Sequence, residues 1–340
     1  MQVCLKQHGA RAIARVVGLA LALSAVTAQA FDLQGHRGAR GLAPENSLAG
    51  FERALAVGVH TLELDVVITS DGVPVISHDT SPNPDITRDA TGRWLQSSGP
   101  PFFQRTLADL AEFDIGRINP VSRYAMDFPL QQPVDGQRIP TLAALFERMQ
   151  ALRADHVRFN IETKLHPLRP AESPEPEAFA RAVIDVVRAW GMGSRVSIQS
   201  FDWRTLAAVQ RIAPELPVVH LTAQLPRFNN LDGEAWTAGL RLRDHPDVPA
   251  LVAAAGGRTW SPHHSNLSQQ LISRARRLGL KVIPWTVNEA TDMERLLNWG
   301  VDGIITDYPD RLRTLMAQRG MKLPPVIEAL TPLQQANHVR

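Results

Sequence analysis

Eight short apolar runs alternate with amphipathic stretches along most of this 340-residue chain, and the alternation restricts the fold more than any other feature. The runs are rich in Val, Ile and Leu without clean two-residue alternation, which is typical of parallel strands covered on both faces. We predict strands at 32–35, 61–67, 157–161, 196–199, 218–221, 258–260, 281–286 and 303–306. Helices are predicted at 47–56, 141–154, 176–190, 203–213, 268–278 and 289–299, with another in the poorly periodic segment 223–257. Strand alternating with helix in this way predicts an α/β fold, a TIM-type (β/α)₈ barrel.

One further apolar run, residues 73–77, breaks the pattern because it follows the second strand across only Ser70-Asp71-Gly72. A parallel crossover needs about a dozen residues or more, so these two segments must pair as an antiparallel hairpin with its turn at Asp71-Gly72. The hairpin extends the second strand above the barrel, and residues 80–140 become a long insertion in the second βα loop. The predicted barrel domain is 31–320, and residues 321–340 are predicted to form a flexible C-terminal tail.

The first 30 residues have the three parts of a secretory signal peptide. Lys6, Arg11 and Arg15 form a basic start, residues 16–26 are apolar, and Ala28-Gln29-Ala30 gives a small-x-small cleavage pattern. The apolar run is far shorter than the ~20 residues that a bilayer span requires. We therefore expect cleavage after Ala30, export to the periplasm or beyond, and no stable membrane anchor in the mature protein.

Removal of residues 1–30 changes the charge balance. The chain has 36 Lys and Arg against 34 Asp and Glu, and the signal segment takes away three of the former and none of the latter. The mature protein then carries 33 positive and 34 negative groups, a net charge of −1, which gives no support for a nucleic-acid partner. The only cysteine, Cys4, leaves with the same segment, so disulfides and thiolate metal sites are excluded. The sequence does not determine the oligomeric state.

A dense polar cluster, Gly35-His36-Arg37-Gly38, ends the first predicted strand. Residues at the C-terminal ends of barrel strands face the loops where chemistry occurs in this fold. Glycine on both sides lets a ligand approach the backbone closely. His36 and Arg37 are therefore candidate site residues, although a histidine that only bonds a carbonyl at the barrel rim would give the same pattern.

Glu63 and Asp65 lie on the second predicted strand, where side chains alternate, so both point to the same side and Leu64 to the other. Two close carboxylates repel each other unless a cation neutralises them. Glu162, at the end of the third barrel strand, offers a third oxygen on the same rim. Such an oxygen-rich set suits one hard divalent ion, Mg²⁺ or Ca²⁺. Salt bridges from these acids to Arg or Lys remain an alternative.

Lys164 and His78 complete the polar set. Lys164 lies two residues after Glu162 and projects to the same side, where its ammonium suits a phosphoryl oxygen. His78 closes the hairpin and can reach over the pocket, although alone it would be an ordinary loop histidine. Together these side chains supply what phosphodiester cleavage needs: a divalent ion, cations that position phosphate oxygens, and an acid–base pair.

Several longer motifs cover most of the chain from Gln34 to Pro309. They read HRGARGLAPENSLAGFERAL, TLELDVVITSDGVPVISHD, IPTLAALFE, NIETK, SIQSF, VIPWTVN and DGIITDYP. In this order, the combination resembles the glycerophosphodiester phosphodiesterase family and is highly specific to it, whereas any one motif would be weak.

The resemblance implies cleavage of glycerophosphodiesters to glycerol 3-phosphate and an alcohol. It implies that His36 and His78 form the acid–base pair, with His36 as the initial base, and that Glu63, Asp65 and Glu162 hold the metal. It also implies phosphate contacts from Arg37 and Lys164 and an aromatic wall at Trp285 beside the glycerol. In the family's proposed mechanism the glycerol 2-hydroxyl attacks phosphorus, and water then opens the cyclic intermediate.

Other functions fit parts of the same pattern. The chain is also similar to the sphingomyelinase D branch, a lysophospholipase D-like activity, but that branch typically has a disulfide in its catalytic loop. A phosphatidylinositol-type phospholipase C accounts less well for Glu162 and Lys164. A non-catalytic periplasmic phosphoester-binding protein would need cations, with or without a metal, but not both His36 and His78.

Five further positions are interpreted as structural or secondary. Ser47 is predicted to cap the first helix, Trp260 to pack in the core, and the loop pair His263-His264 to have no catalytic role, while Gln199 is a possible contact at the rim.

Overall fold

The computed structural model describes residues 31–327. The predicted signal peptide and its cleavage site lie outside the described residues, as does the predicted tail beyond 327. Within them, eight parallel strands form a nearly closed barrel in the order β10-β9-β6-β5-β4-β2-β1-β11. The barrel strands are β1 Asp32–Gly35, β2 Thr61–Ile68, β4 Arg158–Thr163, β5 Val196–Ser200, β6 Val218–Thr222, β9 Thr259–Pro262, β10 Lys281–Val282 and β11 Gly303–Thr306. The predicted TIM-type barrel is confirmed.

The predicted strand at 281–286 is wrong in length, because only Lys281–Val282 pairs as a regular strand. Pro284 has no N–H group and cannot donate to a sheet ladder. The segment nevertheless follows the barrel wall, since Ile283 N donates to Trp260 O over 3.0 Å and Pro284 O accepts from Ile305 N over 3.0 Å. These contacts bring β10 and β11 together and nearly close the barrel.

The predicted hairpin is confirmed. The strand β3 (Pro74–Ile76) pairs antiparallel with the end of β2, with Val67 opposite Val75. Gly72 lies in the turn at φ +81°, a conformation that costs glycine little because it has no Cβ. The poorly periodic segment 223–257 contains a second small hairpin, β7 (Gln224–Leu225) and β8 (Phe228–Asn229), before its helix.

Helices cover the outside of the barrel. They are α1 Leu48–Val57, α4 Leu142–Ala151, α5 Pro176–Ala189, α6 Trp203–Ile212, α7 Val248–Ala254, α8 Gln269–Arg277, α9 Ala290–Trp299 and α10 Pro309–Gln318. Two short helices, α2 Leu107–Leu110 and α3 Arg123–Asp127, lie in the insertion instead. Ser47 caps α1 as predicted, because its hydroxyl accepts from Gly50 N at 3.0 Å. Among residues 31–327, no helix has the length and hydropathy to cross a bilayer.

Two apolar cores stabilise the molecule. The larger lies between the barrel wall and the helices and includes Trp260, which is fully buried as predicted. The smaller one packs under the predicted insertion 80–140, and its buried members are Val67, Val75, Phe102, Leu110, Ile115 and Ile139. Since Val67 and Val75 come from the hairpin, the insertion rests on the extension of β2. The described part of the predicted tail, 321–327, lies along the barrel, where Ile327 N donates to Leu55 O over 3.2 Å.

Candidate active site

A cavity of about 180 Å³ opens at the C-terminal ends of the barrel strands. Seven of the eight predicted site residues line it: His36, Arg37, Glu63, His78, Glu162, Lys164 and Trp285. The eighth, Asp65, lies buried beside Glu63 and Glu162. Residues separated by up to 249 positions along the chain thus meet at one mouth, because parallel strands in a barrel end at the same face.

Three buried acids form the centre of the cavity. Strand alternation places Glu63 and Asp65 on one side of β2, and the register of β2 with β4 sets Asp65 opposite Glu162. One oxygen from each carboxylate lies within 4.8 Å of the others. Asp65 Oδ1 is buried without a hydrogen-bond partner in the described residues, and the Lys164 ammonium is 3.5 Å from it. An acceptor left open among clustered acids fits a hard divalent cation.

The pKa values of the three acids diverge. Burial and the neighbouring acids raise the pKa of Glu63 well above its usual range. Burial raises the pKa of Glu162 to about 7, against the opposing effect of Lys164. Burial alone would raise the pKa of Asp65 as well, but Lys164 and Arg37 lower it below its usual range. Negative charge at this mouth is therefore only partly compensated by the protein's own cations.

A count of the charged groups also gives an excess of negative charge at this mouth. Five buried carboxylates and three largely buried cations lie in the cavity or directly beneath it, so full ionisation would leave a net charge of −2. The acids are Glu45, Glu63, Asp65, Glu162 and Asp307, and the cations are Arg37, Arg40 and Lys164. One divalent ion would balance this excess, and so the residues present fit such a group.

Asp307 orients His36. The carboxylate follows β11, is fully buried, and lies 2.7 Å from His36 Nδ1. This contact leaves His36 Nε2 facing the acids, 3.9 Å from Glu63 Oε2. Burial lowers the pKa of His36 to about 4, although Asp307 acts in the opposite direction. His36 is therefore neutral near pH 7, with Nδ1–H donated to Asp307 and a free lone pair on Nε2.

Arg37 contacts the acids through both its backbone and its side chain. Its φ of +50° is unusual for a residue other than glycine. In that conformation Arg37 N donates to Glu63 Oε2 over 2.9 Å. Its guanidinium bonds Glu45 at 2.8 Å and lies 3.4 Å from Asp65, and Glu45 also accepts from the Tyr124 hydroxyl. The strained backbone thus fixes one carboxylate while the side chain reaches another.

The remaining predicted residues lie between the acids and solvent. Lys164 Nζ donates to Glu162 Oε1 over 2.7 Å. His78 is about one-third exposed and its Nδ1 lies 2.9 Å from Asp79. Burial, and then the nearby cations Arg37 and Lys164, lower the pKa of His78. The Trp285 indole donates to Ser261 O over 2.9 Å and stands edge-on to Phe201, with 5.3 Å between ring centroids.

A line of buried amides reaches the acids from below. Gln199 Nε2 donates to Glu63 Oε1 over 2.6 Å, and Asn160 Nδ2 donates to Gln199 at 2.8 Å and to Gln34 at 3.0 Å. Gln34 Nε2 in turn donates to Asp32 over 3.0 Å. We call Gln34, Asn160 and Gln199 the amide column. Because the Asp32 carboxylate accepts from Gln34, the orientation of each following amide is set by the one before it.

Sequence reasoning did not assign roles to Arg40, Asn46 and Asp307. Arg40 lines the cavity and forms two bonds to Asp307, at 2.8 and 2.9 Å, while Asn46 Nδ2 donates to Asp65 over 2.9 Å. The position of Asp307 directly after the last strand was a sufficient signal by the rule used for His36. His263 and His264 line neither this cavity nor the larger one beside it.

Comparisons with known proteins agree with this geometry. A model of the glycerophosphoryl diester phosphodiesterase family matches residues 36–311. A glycerophosphodiester phosphodiesterase from Caldanaerobacter subterraneus subsp. tengcongensis is 30% identical over 289 residues, covering 84% of this chain and 97% of that protein. A solved Silicibacter pomeroyi structure that carries the same family designation is 35% identical, with a TM-score of 0.78 over 87% of this chain and 96% of its own.

A second solved structure shares the fold at lower identity. It is an Oleispira antarctica phosphodiesterase in complex with its product sn-glycerol-3-phosphate. The two chains are 22% identical with a TM-score of 0.60, covering 84% of this chain and 96% of the other.

Proposed function

This chain belongs to the glycerophosphoryl diester phosphodiesterase family, and on that premise we propose that it hydrolyses glycerophosphodiesters to sn-glycerol 3-phosphate and an alcohol with one bound divalent cation. Membership and the named relatives make it a glycerophosphodiester phosphodiesterase. The metal requirement and the roles of individual residues are our proposal. The product named for the Oleispira antarctica relative supports the assignment of glycerol 3-phosphate.

The observation that carries the proposal is the excess of buried acid beside a histidine with a free nitrogen. Glu63, Asp65 and Glu162 converge within 4.8 Å, and Asp65 Oδ1 has no hydrogen-bond partner in the described residues. His36 Nε2 faces this group, 3.9 Å from Glu63. A protein that only bound a phosphoester could use the cations and a metal, but it would have no need of a base beside them.

Glu63, Asp65 and Glu162 would hold the cation. Once bound, a Ca²⁺ or Mg²⁺ ion supplies positive charge that stabilises the phosphorus oxygens as negative charge develops on them. Arg37, Lys164 and Arg40 add fixed cations around the same cavity. Lys164 is the most exposed of these three cations, with 14% of its side chain accessible against 9% for Arg37 and 12% for Arg40.

His36 is the proposed base of the first step. Its Nε2 accepts the proton of the glycerol 2-hydroxyl as that oxygen bonds to phosphorus, while the bond from phosphorus to the alcohol oxygen breaks. Asp307 holds the ring through Nδ1 and stabilises the imidazolium that forms. Asn288 Nδ2 donates to Asp307 over 2.7 Å and helps to fix that carboxylate.

His78 is the proposed acid. It protonates the departing alcohol oxygen, and Asp79 holds its other nitrogen. The negative charge of a phosphodiester bound beside Arg37 and Lys164 offsets their effect on the pKa of His78 and favours the protonated ring. In the second step the roles reverse: His78 accepts a proton from water as water attacks the cyclic phosphate, and His36 returns its proton to the 2-oxygen.

We also propose that the enzyme acts in the periplasm or outside the cell, because residues 1–30 have the composition of a signal peptide. Glycerophosphodiesters released from lipids would meet it there. Expression of the full chain in a bacterium, followed by fractionation and N-terminal sequencing, tests this: a mature protein in the periplasm or medium that begins at Phe31 is expected, and retention of residues 1–30 in the cytoplasm would contradict it.

The decisive experiment is a substrate and metal panel. Protein treated with EDTA and dialysed is assayed on glycerophosphodiesters, with sphingomyelin and lysophosphatidylcholine as comparison substrates, before and after addition of Ca²⁺ or Mg²⁺. We expect glycerol 3-phosphate to form only from glycerophosphodiesters and only with added metal. Turnover that is indifferent to chelation would remove the metal role, and preferential cleavage of sphingomyelin would favour the sphingomyelinase D alternative.

A further inference from the structure

A second cavity, larger than the first, adjoins the catalytic one on its solvent side. It measures about 620 Å³ against about 180 Å³ for the inner cavity. The two share His78, Glu162, Lys164, Phe201 and Trp285 in their walls. If glycerol phosphate occupies the inner cavity, as the proposed function requires, the leaving alcohol must project into the outer one. The chemistry of the outer walls therefore selects the substrate.

Four aromatic side chains that line the outer cavity form a continuous series of ring contacts, which we call the aromatic arc. From Trp285 the arc continues through Phe201 at 5.3 Å and Phe228 at 5.0 Å to Trp236 at 5.4 Å, measured between successive centroids. All three contacts are edge-to-face, and His166 continues the series at 4.6 Å from Trp236. Each of these rings carries a negative face that attracts cations.

The same cavity is also lined by carboxylates and hydroxyl groups. Asp79, Thr80 and Glu172 line it, and the Thr80 hydroxyl donates to Glu172 over 2.7 Å. The two cations in the walls are already paired, Lys164 with Glu162 at 2.7 Å and Arg169 with Glu172 at 3.3 Å. Within residues 31–327, Asp79 contacts His78 and Asn83 but no Lys or Arg.

Aromatic rings and a carboxylate that contacts His78 but no Lys or Arg line the same cavity, and this combination is complementary to one kind of group. We propose that the outer cavity binds a quaternary ammonium, and hence that the preferred substrates of this enzyme are glycerophosphodiesters of choline-type alcohols. A quaternary ammonium is large, weakly hydrated and attracted by aromatic faces. A neutral polyol gains nothing from the rings, and a primary ammonium loses more hydration on entering an apolar wall. The inference rests on the proposed function and adds its substrate class.

A neutral isostere separates charge recognition from apolar packing. Purified protein with added Ca²⁺ or Mg²⁺ is assayed on glycerophosphocholine and on the 3,3-dimethylbutyl ester of glycerol phosphate, in which carbon replaces nitrogen. We expect kcat/KM to be about tenfold higher for the choline ester, the scale of a partly desolvated cation–π contact. Equal values for the two esters would overturn the proposal. Failure to hydrolyse either ester would count instead against the proposed function.

Variants of the aromatic arc test whether its rings cause the preference for the choline ester. Phe228→Leu and Trp236→Leu remove rings that line the outer cavity but not the inner one. Each is expected to lower kcat/KM for glycerophosphocholine about fivefold and to leave glycerophosphoglycerol within about twofold. Trp94→Leu is the matched control, since Trp94 lines neither cavity. An equal loss on both substrates would show a structural role and contradict the assignment.

Direct binding provides a readout that needs no turnover. Choline added to the EDTA-treated wild-type protein should change the tryptophan fluorescence saturably, because Trp236 and Trp285 line the cavity. 3,3-Dimethylbutanol at the same concentrations should change it much less, and Phe228→Leu should weaken the response to choline. If the two alcohols bind equally, the aromatic arc recognises shape alone and the ammonium assignment is wrong.

Discussion

The two mouths of the barrel contain the same kinds of side chain but use them differently. The catalytic mouth has a cavity of about 180 Å³, and the opposite, N-terminal mouth has one of about 270 Å³ that is also lined by acids and cations. In the N-terminal cavity these are Asp32, Asp302, Arg158, Arg195 and Lys281. Charged residues in a barrel mouth are therefore not sufficient to mark a site.

The difference lies in how completely the acids are satisfied. At the N-terminal mouth, Asp32 accepts from Gln34 and from Thr61, the latter at 2.8 Å, and pairs with Arg158 at 2.9 Å. Asp302 accepts from Val282 N at 2.8 Å. At the catalytic mouth Asp65 keeps an oxygen without a hydrogen-bond partner, and the described residues contain no second group of three converging acids. Incomplete compensation of buried charge separates a reactive centre from a structural one.

The largest effect is expected when the same substitution is made at each mouth. Asp65→Asn removes a proposed metal ligand and should lower kcat/KM about 10³-fold, since several kcal/mol of charge stabilisation are lost at about 1.4 kcal/mol per tenfold. Calorimetry should show loss of Ca²⁺ or Mg²⁺ binding as well. Asp302→Asn, at the N-terminal mouth and outside the amide column, is the matched control and should bind the metal normally. If Asp65→Asn keeps wild-type metal affinity, the two mouths do not differ in the way we describe.

Histidines at the two mouths give the next contrast. His36→Ala and His78→Ala should each lower kcat on the order of 10²-fold, because each removes a proton-transfer group. His156→Ala, which changes an exposed residue just before β4 at the N-terminal mouth, should leave kcat unchanged. Circular dichroism and thermal unfolding confirm that the variants are folded. Full activity in either catalytic variant would contradict the acid–base assignment.

A smaller effect is expected from the amide column, which joins the mouths. Gln199→Met leaves Glu63 Oε1 without its donor and should weaken metal binding about 10- to 100-fold, the range for groups that orient ligands. The control, Gln210→Met, changes a glutamine on α6 that bonds Gly256 O. If Gln199→Met lowers thermal stability but not metal affinity, the column supports the fold and not the site.

The smallest effect is expected at the N-terminal mouth itself. Arg158→Met breaks the ion pair between Arg158 and Asp32. The Arg158 side chain is 46% exposed. A pair this accessible to solvent contributes about 1 kcal/mol or less. We expect a small shift in urea unfolding and unchanged kcat/KM. A loss of activity comparable with that of Gln199→Met would show that the N-terminal mouth takes part in catalysis.

Much of the barrel could be predicted because its signals are local. Neighbouring positions in the sequence are enough to recognise apolar runs, cap residues and the short Asp71-Gly72 turn. Because the strand ends of a barrel face one mouth, His36, Glu63 and Glu162 could then be predicted to lie close together. The shortened β10 was missed because Pro284 removes a ladder bond without interrupting the apolar run.

Residues that work through partners were harder to recognise. The role of Arg40 depends on its contact with Asp307, which lies 267 positions away in the sequence. Tyr124 reaches Glu45 from the insertion, and the path of the insertion depends on its own small core. Phe228 and Trp236 lie in the segment 223–257, where weak periodicity did not allow the secondary structure to be predicted in detail. Their role depends on ring-to-ring geometry, which composition does not contain.

Side-chain amides neither gain nor lose a proton near neutral pH. The amide column therefore fixes the orientation of successive side chains along the barrel axis, but none of its groups can take up and release a proton. Protonation of Asp32 at the N-terminal mouth is therefore not passed along the column as a proton to Glu63. The catalytic groups exchange their protons with solvent and substrate at the C-terminal mouth, while the column keeps Glu63 in place from below.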